Sequence, residues 1–168
     1  MENRGLTFIE LITVLAISSI LGAIAIPTMS TFIQQQRLRT ASHDLSHLIK
    51  TTRSLAVSQH SRVTLWNQDG NWNKGLEVFS DTDGNGLRAR SEPVLLRSAD
   101  HSDISISGNF WVQDYISYIG NGAAVAVNGA FQVGTITLCQ AQQTTAYKLI
   151  ISVGGRVRTE KIIVTSCP

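Results

Sequence analysis

Hydrophobic positions change period twice along the chain. From Leu6 to Ile26 the residues are apolar or small apart from scattered Ser and Thr, and Glu10 is the one ionisable side chain. At about 1.5 Å of rise per residue, a helix of this length spans the roughly 30 Å hydrocarbon layer, so residues 6–27 are expected to form a transmembrane helix. After Pro27 the helical pattern resumes: Phe32, Leu38, Ala41, Leu45, Leu48, Ile49, Leu55 and Ala56 recur three or four residues apart. Arg37, Arg39, His43, Asp44, His47, Lys50 and Arg53 fall on the opposite side, which predicts an amphipathic continuation to about Gln59 whose apolar stripe covers a sheet. From Arg62 the period shortens to strand-like pieces separated by Gly, Asn and Asp: 62–66, 76–79, 93–97, 104–107, 115–119, 123–127, 135–138, 147–153 and 161–165. One long helix followed by antiparallel strands is an α+β fold.

Composition and charge narrow the class. With 168 residues, 43% hydrophobic and 15% charged, the chain suits one compact domain plus an appendage and excludes both a multidomain and a wholly disordered protein. The net charge of +2 hides strong segregation. Residues 28–62 carry five Arg/Lys against Asp44 alone, 63–114 carry four against eight acids, and 115–168 carry four against Glu160 alone. An anion-seeking surface is therefore expected on the long helix or at the C-terminal end. Arg4 ahead of the apolar helix favours a cytoplasmic N-terminus, placing 28–168 in the periplasm of a single-pass inner-membrane protein. The apolar core exceeds that of a cleavable signal peptide, so the anchor is expected to stay. Glu10 within it is costly in lipid and calls for a partner.

Several chemistries can be weighed directly. No nucleophile elbow, His-Glu-x-x-His pair or phosphate-cradling Gly-rich loop occurs, so neither an enzyme nor a cofactor is expected. His43 and His47 with Asp44 read as a solvated helical face rather than a metal site. Cys139 and Cys167, an even pair in an oxidising compartment, are expected to form a disulfide that tethers the C-terminus. Asp81, Asp83, Asn85 and Gly86, with Glu92 at the twelfth position, satisfy the letters of a calcium loop. Strand flanks and the positive charges of Arg88 and Arg90 argue against metal there, and the Asp-Gly and Asn-Gly pairs serve equally as turn formers, so the turn is the preferred reading.

Near the C-terminus, Gly154-Gly155-Arg156-Val157-Arg158 lies between two strand-like pieces. The glycines permit a tight turn, and if the segment is extended, alternation about Val157 aims Arg156 and Arg158 to one side. Two guanidinium groups near Lys148 or Lys161 then make a small phosphate clamp, giving weak, salt-sensitive binding without sequence preference. The plain alternative is a hairpin whose arginines are solvated or paired with Glu160.

Three segments carry a family resemblance. Gly5-Leu6-Thr7-Phe8-Ile9-Glu10, with the apolar helix and Pro27, resembles the class III leader of type IV pilins and secretion pseudopilins. Trp72 to Gly86 resembles the hairpin of the GspH/FimT/FimU group of minor pilins, and Gly155-Arg156-Val157-Arg158 is similar to the Gly-Arg-x-Arg element by which FimT-type pilins bind DNA. Residues 100–131 carry no motif of the family.

The resemblance implies a type IV pilin-like fold and a leader at 1–5 that a prepilin peptidase cuts after Gly5. It further implies N-methylation of Leu6 and neutralisation of a neighbouring subunit's terminal amine by Glu10. Implied partners are other major and minor pilins, the inner membrane before assembly, and double-stranded DNA taken up in natural transformation from a pilus on the cell surface. The alternative is a structural tip or priming pilin, or a type II secretion pseudopilin, without DNA binding.

Overall fold

Thr7 opens the long helix by a reciprocal cap: its hydroxyl oxygen accepts the Glu10 N–H (3.3 Å) while a Glu10 carboxylate oxygen accepts the N–H of Thr7 (3.2 Å). Two otherwise orphaned donors are thereby satisfied at the start of α1, Phe8–Gln59. The chain, in a computed structural model, is described over residues 7–73, 75–141 and 143–167, the side chains of 24–28, 69 and 110 excepted. Gly5 and Leu6, and with them the expected cleavage and methylation position, lie outside the described residues. Among the described residues no helix is long and apolar enough to cross a membrane; the stretch 6–27 expected to do so is described only in part.

Two compact units divide the chain, Met1–Gln36 and Arg37–Pro168. In the first, Phe8, Ile9, Leu11, Ile12, Val14, Leu15, Ile17, Ile20 and Leu21 are all exposed, an apolar surface that the chain by itself leaves uncovered. Phe32, expected on the buried stripe, is also exposed. The stripe begins at Leu38, because only from there do helix side chains join the core cluster.

In the second unit Leu38, Ala41, Leu45, Leu48, Ile49 and Ala56 are buried at the expected spacing, with Ser42, Ser46 and Thr52 filling the gaps between them. Small hydroxyl residues fit here because their O–H groups bond back to the helix, as Ser42 does to the Arg39 carbonyl (2.8 Å) and Thr52 to that of Leu48 (2.8 Å). The helix ends at His60, whose φ of 51° lets the Ser61 N–H return to the Ala56 carbonyl.

Among the described residues the strands form two sheets, each four-stranded and antiparallel, as the α+β expectation requires. The first comprises β1 (Val63–Asn67), β2 (Leu76–Ser80), β3 (Val94–Arg97) and β5 (Tyr115–Tyr118), in the order β3-β2-β1-β5. The second comprises β4 (Ser105–Gly108), β6 (Gly134–Cys139), β7 (Thr145–Ile151) and β8 (Val157–Ile163), in the order β4-β6-β7-β8. One core takes Leu65, Val78 and Ile116 from the first sheet, and Ile136, Leu138 and Leu149 from the second, with the stripe of α1.

Two expected strands are corrected. Residues 123–127 form no ladder: Ala124 and Val125 make isolated bridges to Tyr118 and Phe131, and a turn at Gly129 (φ 83°) ends the pairing at once. The last strand begins at Val157, not at 161, because the register Ile151↔Val157 confines the turn to 152–156. Cys139 and Cys167 are joined, their Cα atoms 5.6 Å apart, tying the C-terminus to the end of β6.

Candidate functional site

The C-terminal turn is built for a close approach. The Gly155 N–H reaches the Ser152 carbonyl (2.8 Å) and the Ser152 N–H reaches the Arg156 carbonyl (3.0 Å), closing a tight β7–β8 loop with Gly155 at φ 72°. A Cβ on Gly155 would strike both the Gly122 carbonyl and the Tyr118 ring, so only glycine permits this loop to lie against residues 118–124.

Arg53 clamps that approach. Its guanidinium donates to the carbonyls of Gly122 (2.7 Å) and Gly154 (3.1 Å), joining the helix to a loop of each sheet. Beneath it the Tyr118 phenol is buried, which raises its pKa well above the ordinary value, an effect the Arg53 charge partly opposes.

Beside the clamp lies a cleft of about 510 Å³ lined by Lys50, Arg53, Ser54, Val57, Gly155, Arg156 and Val157. Three of these residues are cationic and none is acidic. The cleft thus unites the two regions of positive charge that the sequence places apart, the helix and the C-terminal turn. Lys50 and Arg53, not among the expected site residues, are the contribution of α1. Their signal in the sequence was the basic excess of residues 28–62.

Arg156 precedes β8 and lines the cleft, whereas Arg158 lies within the strand opposite Ile150 and its guanidinium meets Glu160 at 3.4 Å. Val157 packs against the core and Thr159 reaches Ser46 of α1 (3.4 Å), so alternation places Arg158 and Glu160 on the other face of the sheet. Lys148 stands opposite Glu160 in the register and shares that face. Lys161 stands opposite Tyr147 on the helix side, along the seam that leads from the cleft. β8 ends the sheet, so this seam runs along an edge strand.

Elsewhere, His43 and His47 are exposed, and Asp44 is 4.0 Å from His101 of the loop before β4. Asp81, Asp83, Asn85 and Glu92 lie on the long β2–β3 connection, residues 81–93. The glycines at φ 72° (Gly84) and 74° (Gly86) bend it, while Glu92 accepts the N–H groups of Thr82 (2.8 Å) and Ala89 (2.9 Å). A further polar residue unforeseen in the sequence is Gln132, fully buried, which accepts the Ser117 N–H and donates to the carbonyls of Trp111 and Tyr115. It organises the segment in which no family motif was found.

A helix whose C-terminal half covers two antiparallel sheets, with a disulfide-held last strand, defines a pilin-type α+β protein. The family model described as Type II transport protein GspH matches residues 41–155, and the chain belongs to that family, within the minor pilin and pseudopilin group. The match stops at Gly155, leaving Arg156 and Arg158 beyond it.

Among solved structures the chain is similar to the type IV minor pilin FimU of Pseudomonas aeruginosa (strain PAO1). In the P21 crystal form the identity is 23%, covering 82% of this chain and 99% of that one, with a TM-score of 0.63. In the P65 form it is 24%, covering 78% and 100%, with a TM-score of 0.58. At this identity the likeness establishes the fold. No curated protein matches the chain.

Proposed function

We propose that this chain is a type IV minor pilin that enters a filament at or near its tip and binds double-stranded DNA along the seam between α1 and β8, supporting natural transformation. The carrying observation is the cleft in which Lys50, Arg53 and Arg156 converge with no carboxylate among the lining residues. Guanidinium and ammonium groups held this way attract phosphate without reading bases. Lys161 extends the positive seam, and Arg158 and Lys148 belong to the opposite sheet face, where Glu160 offsets them. Arg53 is a positioning residue, since it holds the Gly154 carbonyl and with it the turn that carries Arg156.

The rest of the reading concerns delivery. A prepilin peptidase removes residues 1–5, Leu6 becomes the methylated N-terminus, and residues 6–27 anchor the precursor in the inner membrane with 28–168 in the periplasm. The exposed apolar helix of the first unit supports this, since such a surface needs lipid or sister helices to cover it. Glu10, whose carboxylate already reaches back to the Thr7 N–H, is the group to neutralise a neighbouring subunit's amine. No catalytic role is part of this reading.

The test is fluorescence anisotropy of a duplex DNA with the full chain in detergent across a salt series. The variant Lys50→Gln with Arg156→Gln is expected to weaken binding and to lower the log–log salt slope by about 0.9 per lost phosphate contact. Arg158→Gln should leave the slope nearly unchanged. Wild-type slope and affinity in the double variant would exclude the cleft. The purely structural reading, a tip or priming pilin or a secretion pseudopilin, is favoured by the Arg158–Glu160 pair. It predicts no salt-dependent DNA binding by the wild type.

A further inference from the structure

We propose that the β2–β3 connection is a calcium site formed by Asp81, Asp83 and Glu92. Each of the three acids offers a carboxylate oxygen, and these oxygens lie within 4.8 Å of one another. Two of the three are interior: Asp81 is 2% exposed and Glu92 4%. Carboxylates gathered in this way repel one another unless a cation or a proton sits between them.

The second observation concerns one atom. Asp81 Oδ2 is engaged, accepting from the Thr64 hydroxyl (2.8 Å) and the Gly86 N–H (3.1 Å). Asp81 Oδ1, equally buried and part of the same carboxylate, has no hydrogen-bond partner among the described residues. A buried carboxylate oxygen without a donor is costly, and a metal ion is the partner that its position beside two further carboxylates supplies.

Nearby protein cations do not serve instead. Arg88, which in the sequence argued against metal, reaches Glu77 of β2 (3.3 Å), where Arg97 also binds (3.0 Å). Arg62, close to Gly84, sends its terminal nitrogen to the Ser117 hydroxyl (2.9 Å) and the Val125 carbonyl (3.0 Å). Among the described residues no ion pair links a cation to Asp81, Asp83 or Glu92.

The donors are all oxygens from one loop, at spacings 1, 3 and 12 with Gly86 at 6, a set that suits the larger and geometrically tolerant Ca²⁺ better than Mg²⁺. Strand flanks are no obstacle, because the loop's own side chains, not its flanks, bring the acids together. Bound calcium would fix the β2–β3 loop against Tyr115 and Val127, which lie close to Gly86.

The experiment is calorimetric titration of calcium chloride into the chelator-treated full chain in detergent, with thermal unfolding in chelator, calcium and magnesium. One site is expected, with Kd in the range of about 0.1–1 mM seen for extracellular modules. Tm should rise by about 3–5 °C for each tenfold excess of calcium over Kd. Asp81→Asn and Glu92→Gln should abolish the heat. Asp83→Asn, at an exposed position whose change leaves folding intact, should weaken binding by about tenfold or more. The proposal fails if the folded wild type shows no heat and an unchanged Tm at about 10 mM calcium, well above that range. Unaltered affinity in Asp83→Asn, or equal response to magnesium, would also overturn it.

Discussion

Single residues decide whether the two sheets can meet at the C-terminal turn. Gly155 tolerates both a positive φ and the contact with Gly122 and Tyr118, and Arg53 then ties the Gly122 and Gly154 carbonyls together. Tyr118 is enclosed by this arrangement, and among the described residues its hydroxyl has no hydrogen-bond partner. Because burial raises its folded pKa above the unfolded value of about 10, the folded state keeps a proton that the unfolded chain releases. Stability from this group is therefore intact below about pH 10 and falls as pH climbs through the window above it, by up to about 1.4 kcal/mol per pH unit. Urea unfolding from pH 8 to 11 should show this decline, and Tyr118→Phe should remove the Tyr118 contribution while leaving stability at pH 7 equal or slightly higher.

At the scale of elements, the helix serves two purposes in series. Its second half contributes to the core, so Ile49→Ala, at a fully buried position of the core cluster, should cost about 2–5 kcal/mol in chemical denaturation. Ile33→Ala, exposed in the first unit, should change the unfolding free energy by no more than about 0.5 kcal/mol. The helix was legible in the sequence because three-to-four periodicity is a local property: Leu38, Ala41, Leu45, Leu48, Ile49 and Ala56 are buried where the spacing placed them, and Leu55 is half-buried against the core. Phe32 was misplaced because periodicity identifies a face without saying where a partner begins. Residues 123–127 have the Ala and Val content of a strand, yet strand status requires a paired neighbour, and only isolated bridges form there.

For the whole molecule, the disulfide matters most at the end that carries the cleft. Cys139 and Cys167 are separated by 28 residues, and β7, the turn and β8 all lie inside that loop. Reduction followed by alkylation should lower unfolding free energy by about 3–4 kcal/mol on the chain-entropy estimate. Calorimetry of the reduced and oxidised forms checks this. The edge strand β8 should then exchange its amide hydrogens faster than β6, which is paired on both sides.

By itself the sequence determined the long helix, its buried stripe from Leu38 onward, most of the strands, the cysteine pair and the two segments of positive charge, all properties carried by neighbours in the chain or by counts. Only tertiary structure decided that the described strands form two sheets, that Arg156 lines a cleft while Arg158 meets Glu160, that Lys50 and Arg53 join the turn, and that Asp81 sits buried with one oxygen unanswered. These depend on which distant residues touch. The helix-to-turn contact, for one, joins Arg53 to Gly154, more than a hundred positions away, and no local pattern encodes such a pairing.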